Sequence, residues 1–440
     1  MILSRLVKMD SPFPFVIRFL LAVVAGTQAA GAEDWPHWRG PSRNGIVDED
    51  SGWRQGAWPP EDAEWTARVG EGGTAPIVAE GRLYTLGSTD QEDHVYCLDA
   101  ATGREVWKST YKCARYGRYS EGDKGLYSGP SACPSFDPDT GLLFTLSTDG
   151  DLNCWDTRDQ GARVWGMNLY DEFGVGQRPL VGTRRRRDYG YTTSPLVHRD
   201  WVIVEVGDDE GNLMAFLKRS GRRQWTSESQ DPAGHTGGLV PMIVEEIPCV
   251  AVLTIHNLLV VRLDAGHEGE TLAEFPWETD FANNIATPTV RGDSVVITSE
   301  YNQYSICRVR ITREGAQQVW KQPYASGVSS PIIYAGHVYW GWRGVYCLDF
   351  ETGRPIWRGG RFGDTASCLV TSDGRLIVWA DQGELLLVET AGRSPDKYEE
   401  LSRTGRFFET DVWPHVVLAG RRLYCKDRDG NLKCFHLAGD

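Results

Sequence analysis

No cysteine precedes Cys97, no two cysteines are adjacent, and none follows the Cys-x-x-Cys spacing. The first absence implies that the mature N-terminus of an exported form carries no lipoprotein anchor. The last removes the commonest zinc and thioredoxin-type motifs. His-Glu-x-x-His, Gly-x-Ser-x-Gly and a glycine-rich loop opening a helix are missing too, so metallopeptidase, α/β-hydrolase and nucleotide-binding signatures are absent. Positive charge is in deficit, with 46 Lys and Arg against 60 Asp and Glu and a net charge of −14. That balance disfavours general affinity for nucleic acid or anionic membrane. Long helical periodicity is hardly to be found.

No uninterrupted apolar run is long enough to span a bilayer. Arg5 and Lys8 precede an apolar stretch from Phe13 to Gly26, broken by Pro14 and Arg18, and small residues end at Ala30-Gly31-Ala32. This is a secretory signal pattern with an Ala-x-Ala cleavage site. Residues 1–32 are expected to be the signal peptide and 33–440 one exported domain, periplasmic or secreted, without a membrane span; a retained anchor is the competing reading.

What the chain has in abundance is tryptophan, 17 in all. Thr74 to Trp107 contains four short apolar runs separated by turn residues, with Asp99-Ala100-Ala101-Thr102-Gly103 before the closing Val106-Trp107. The pattern returns from Ser329 to Trp357, and weaker copies start at Ser131, Ser194, Gly238, Thr287 and Ser367. Trp65, Trp107, Trp165, Trp225, Trp277, Trp320 and Trp357 close the successive units; the unit from Ser367 has no closing Trp. An eighth unit, Trp413 to Phe435, has three strands, and its fourth is available at Ala63 to Thr66. Four strands per repeat at such periods predict an all-β, eight-bladed β-propeller of four-stranded antiparallel blades, closed by its own N-terminal strand.

The turn Asp99 to Trp107 and its copy Asp349 to Trp357 resemble the tryptophan-docking repeat of the PQQ-like (pyrroloquinoline quinone) propeller family. Trp35-Pro36-His37-Trp38-Arg39-Gly40-Pro41 resembles a leader of its bacterial, non-dehydrogenase branch. The resemblance spans nearly all of residues 35 to 437. It implies that the Trp of one blade docks on the turn of its neighbour, so all seven tryptophans above are expected to dock. A non-enzymatic relative, the barrel-assembly lipoprotein of the outer membrane, is lipid-anchored, a feature this sequence does not share. A quinoprotein dehydrogenase of the family would hold PQQ and calcium in the channel, with an Asp base and, in most alcohol dehydrogenases, a disulfide between adjacent cysteines; this chain has no such pair.

Cys97, Cys154, Cys347 and Cys434 fall at one repeat position, as buried small apolar residues would. If Asp429-Gly430 is a two-residue hairpin, Cys425 faces Cys434 across the ladder, close enough for a disulfide; two free core thiols is the equal alternative. Cys113 and Cys133 are a second candidate pair.

Two connections between blades are long, 108 to 127 and 166 to 191, and both carry excess positive charge interleaved with tyrosines. Arg115, Arg118 and Tyr119 on the first, with Arg184, Arg185, Arg186, Arg187 and Tyr189 on the second, are candidate ligand contacts on one face. Solvated loops whose arginines pair locally are the alternative. Asn283 and Asn284, on the same face, are candidates for a polar contact or for turn formation. Asp208-Asp209-Glu210 reads as a hairpin tip, since it lacks the spaced oxygen ligands of a calcium loop.

These readings converge on a non-catalytic binding or scaffold protein of the bacterial cell envelope. It is expected to act as a monomer on a protein, peptide or anionic glycan, with no cofactor and no metal. A PQQ-dependent oxidoreductase with calcium and an outer-membrane assembly factor are the alternatives.

Overall fold

A computed structural model describes residues 34–54, 58–90, 92–113, 129–175, 180–181, 185–186, 190–233, 235–279 and 283–437. They lie in one compact unit, Ala32–Asp440. Eight four-stranded antiparallel sheets form a ring. Blade 1 is Ile77–Ala79, Arg82–Thr89, Glu92–Asp99 and Glu105–Lys112. Blade 2 runs from Ser135–Asp137 to Ala162–Asn168, blade 3 from Leu196–His198 to Arg223–Thr226 and blade 4 from Val240–Val244 to Thr271–Pro276. Blade 5 runs from Thr289–Arg291 to Gly315–Gln322, blade 6 from Ile332–Tyr334 to Pro355–Gly359 and blade 7 from Ala366–Val370 to Glu400–Arg403. Blade 8 takes Val417–Ala419, Arg422–Lys426 and Asn431–His436 from the end of the chain and Trp65–Arg68 from its beginning, with Trp65 opposite Cys434. The N-terminal strand closes the ring.

Burial is lowest in the outermost strands. Strands Ile77–Ala79 and Ser135–Asp137 are wholly buried, whereas Glu105–Lys112 alternates. A strand between two neighbours can be apolar on both faces; the outermost needs one wet face.

The repeated turn has a local cause. Asp99 accepts from the Thr102 amide at 3.1 Å and its hydroxyl at 2.8 Å, and Asp349 does the same with Thr352 at 2.7 and 2.6 Å. Those bonds, Thr102 foremost, hold the Asp99 carboxyl below its usual range. Side-chain closure of this kind makes Asp a turn former. Gly103, Gly161, Gly221 and Gly353 end such turns with φ near +70°, and a Cβ at any of them would sit 2.4–2.8 Å from Trp65, Trp107, Trp165 and Trp320 respectively. Each ring therefore lies flat on its neighbour's turn. The indoles of Trp65, Trp165, Trp320 and Trp357 also donate to Ala100, Lys218, Phe350 and Ser394 carbonyls.

One docking assignment changes. The docking residue pairs with the third strand just before a bulge, as Trp107 does with Cys97 and Trp225 with Ala215. In blade 4 that place belongs to Ala273, opposite Val260. Trp277 lies four residues beyond it, after the last strand, fully buried under Lys321. In blade 7 the place belongs to Ser402, whose hydroxyl donates to the Trp58 carbonyl at 2.7 Å. Blade 7 is nonetheless a regular four-stranded sheet.

The expected pairing of Cys425 with Cys434 is also corrected. Cys425 lies opposite Lys433, and Cys434 opposite Tyr424. The hairpin loop is Arg428-Asp429-Gly430, with Gly430 left-handed at φ +81° and Asp427 bonded to Asn431. A three-residue loop replaces the assumed two, and a one-residue slip turns the two thiols to opposite faces. Cys133 and the eight other buried cysteines, Cys425 and Cys434 among them, form no disulfide. Thiol titration of the denatured, unreduced protein is expected to find ten; eight or fewer would restore a disulfide.

The long connections begin later than expected, because Lys108–Lys112 and Gly166–Asn168 belong to outer strands. A short helix, Leu169–Phe173, follows the second, capped by the Asn168 side chain.

Candidate functional site: the plugged channel and its rims

The first strands of the blades surround the axis, and the leader runs among them. Trp35 exchanges two backbone hydrogen bonds with Val78 of blade 1, and the Pro36 carbonyl accepts from Phe136 of blade 2. Trp38 donates to the Thr287 hydroxyl at 2.8 Å, packs tilted against His415 with ring centroids 4.2 Å apart, and leaves no room for a Cβ at Gly238. Arg39 donates to the Thr289 hydroxyl at 3.0 Å, the Asn44 carbonyl at 3.1 Å and the Pro331 carbonyl, joining blades 5 and 6. Arg43 reaches Ser135 at 3.4 Å and the Pro195 carbonyl at 3.3 Å, on blades 2 and 3. Gly45 and Val47 bond Val370 of blade 7, and the Glu49 carboxylate accepts the Gly420 and Arg421 amides of blade 8 at 2.7 and 2.6 Å.

Between Asp34 and Ser51 the leader thus touches every blade. Its chain reverses through Gly40 N–H to His37 carbonyl and Gly45 N–H to Arg39 carbonyl bonds. Arg39 and Arg43 hold positive φ, 63° and 53°, a conformation that persists for non-glycine residues only where surroundings fix it. Burial pushes Arg39 down to about 10 and Arg43 to about 9, so both are charged at pH 7. Burial, with Arg39 nearby, pushes His415 down to about 3, and burial with Arg43 holds His37 well below the usual range.

The sequence had offered this channel as a seat for PQQ with calcium. The residues do not fit that pair: Trp38, Arg39 and Arg43 cross between the first strands and bond residues of blades 2, 3, 5 and 6 there. Among the described residues no group of three or more His, Cys, Asp or Glu side chains could hold a metal. Asn284 is buried and donates to the Thr254, Ile255 and Trp277 carbonyls at 2.8, 3.1 and 3.0 Å. Its amide nitrogen thus ties a connection together. Asn283 pairs by its backbone with His235 in a two-stranded parallel ladder. Asp208–Glu210 form a 3₁₀ turn within a hairpin, as expected.

Of the basic loop candidates, Arg115, Arg118, Tyr119, Arg184, Arg187 and Tyr189 lie outside the described residues. Arg185 and Arg186 pair by backbone with Val181 and Leu180. The rim from which these loops spring is acidic. Asp93, Asp149 and Glu205 are buried there, and Asp151 is raised to about 6, mainly by burial, with Asp93 and Asp149 adding.

A groove that the sequence did not disclose opens between blades 6 and 7, about 800 Å³, lined by Arg343, Arg358, Arg361, Phe362, Tyr398 and Glu400. Arg343 is tied to Glu300 and Asp364. Arg358 lies 4.5 Å over the Tyr346 ring. Its arginines come from different elements, and only their number near Gly359-Gly360 could have signalled it.

A family model described as outer membrane protein assembly factor BamB matches residues 44–114 and 91–359. Outer membrane protein assembly factor BamB of Bordetella pertussis (strain Tohama I) is 24% identical over 326 residues, 73% of this chain and 64% of that protein. The chain thus spans somewhat under two thirds of that relative's length. Among solved structures, BamB from Moraxella catarrhalis aligns with a TM-score of 0.58 at 12% identity, over 85% of this chain and 99% of that one. A europium-containing methanol dehydrogenase aligns at 0.63 and 12% identity, over 91% and 88%. At such identities the structures show the fold alone, and enzyme and assembly factor share it. The family model, which covers most of the ring, decides the kinship: this chain belongs to the family of outer membrane protein assembly factor BamB, within the PQQ-repeat propellers.

Proposed function

We propose that this chain is an exported, non-catalytic binding propeller of the bacterial cell envelope, acting as a scaffold in outer-membrane protein assembly. The observation that carries the reading is the channel that the leader crosses. With Trp38, Arg39 and Arg43 between the first strands, the place where a propeller of this kind would house a cofactor is given to structure, and the rims and blade edges are left for partners. The family and its named members support the assembly role. The partner is a protein or peptide, met at the face of the basic loops, residues 108–127 and 166–191.

Two measurements test this. Titration of PQQ, with and without calcium, into the mature protein is expected to give neither saturable absorbance change nor thermal shift; saturable binding would put the oxidoreductase reading first. Neutralising Arg184, Arg185, Arg186 and Arg187 together is expected to leave stability within about 0.5 kcal/mol per site, as for surface substitutions. The same variant should lose capture of the cognate membrane assembly complex, and retained capture would move the site off this face.

A further inference from the structure

Arg39 and Arg43 are both 4% exposed, and among the described residues neither lies within ion-pair distance of a carboxylate. Their situations differ. Arg39 donates to three oxygens, two of them closely, so protein dipoles surround its charge. Among the described residues Arg43 has two long bonds from Nη2, and its Nη1 is shielded from solvent without a partner. The nearby His37 ring has a second such atom, Nδ1, equally shielded and equally without a partner. Lys426, the other buried cation of this region, bonds the Gly72 and Thr74 carbonyls at 2.8 and 3.1 Å and has Asp427 as its chain neighbour.

A guanidinium stays charged in a protein interior. Leaving it there with neither counter-charge nor full hydrogen bonding is strongly unfavourable. A water molecule would accept the Nη1 hydrogen bond but leave the charge unmatched. An anion meets both needs, and the enclosure limits it to a very few atoms.

We propose that Arg43, with His37 and Ser135 as neighbours, holds one small monovalent anion of chloride size inside the propeller channel. The anion pins the leader's turn at Arg43 between blades 2 and 3, so its binding is read as stability.

The test melts the mature protein at constant ionic strength while chloride or bromide replaces gluconate, an anion too large for the site. A saturable rise of roughly 1–3 °C is expected. It should vanish in Arg43→Gln and persist in Arg361→Gln, a surface control. A flat response, or one that Arg43→Gln retains, overturns the site. Where Arg43→Gln does not fold, bromide-grown crystals of the wild-type protein decide: anomalous scattering within hydrogen-bonding distance of Arg43 supports the proposal, and a water there without anomalous signal refutes it.

Discussion

Replacing Trp107 by alanine is expected to lower unfolding free energy by about 3–5 kcal/mol, the cost of deleting a large buried aromatic. The ring is 7% exposed, packs 6.0 Å from Tyr84, and covers Gly161 on the turn of blade 2. Its loss uncouples two blades as well as opening a void. Gly161→Ala separates the two effects. At φ +70° any side chain costs about 1–2 kcal/mol in backbone strain, and the new Cβ would also lie 2.5 Å from the Trp107 ring. In the Trp107→Ala background the clash is gone and only the backbone cost remains. A double-mutant cycle by urea unfolding should therefore show at least about 1 kcal/mol of coupling. Equal costs of Gly161→Ala in both backgrounds would mean that the indole does not sit on that turn.

The propeller was legible because its signals are local. Asp99 and Thr102, or Asp349 and Thr352, close a turn with their own side chains, and a glycine four residues after the carboxylate carries the docked ring. Misassignments arose where identity stood in for register. Trp277 has the right residue type at about the right interval, yet the ladder gives the docking place to Ala273. Cys425 and Cys434 failed on a single loop residue, because period-two alternation turns an error of one into the opposite face. The leader was visible as a motif, but its path was not. Arg39 reaches Thr289 across 250 residues, and no local pattern encodes a segment whose contacts are shared among eight blades. Asn284 illustrates the same limit: polarity suggested a contact, while its three carbonyl partners come from an adjacent hairpin and from Trp277. The groove between blades 6 and 7 likewise exists only once Arg343, Arg358 and Tyr398 are brought together.

Acid should loosen the plug, and His415 is where this can be measured. Its imidazole packs tilted against Trp38 and faces the Arg39 charge; burial is the larger cause and Arg39 the smaller of a value lowered to about 3. The unfolded chain takes up a proton near pH 6.5, which the native protein refuses. The stabilisation is therefore complete above pH 6.5 and is lost as pH falls towards 3. At pH 4.5 the loss amounts to roughly 3 kcal/mol, two units at about 1.4 kcal/mol each. His415→Phe keeps an aromatic ring against Trp38 and removes the proton acceptor. Between pH 7 and pH 4.5 the wild-type protein is expected to lose roughly 3 kcal/mol more than the variant. Other acid-sensitive contacts, such as Glu64 with Arg422, whose bond lowers the Glu64 value, occur in both proteins and cancel in the difference. His37, shielded beside Arg43, adds a loss of the same sign to both. Parallel pH profiles for wild type and His415→Phe would show that the imidazole titrates as it does in water, and that the plug stands open enough at blade 8 for a proton to enter without cost.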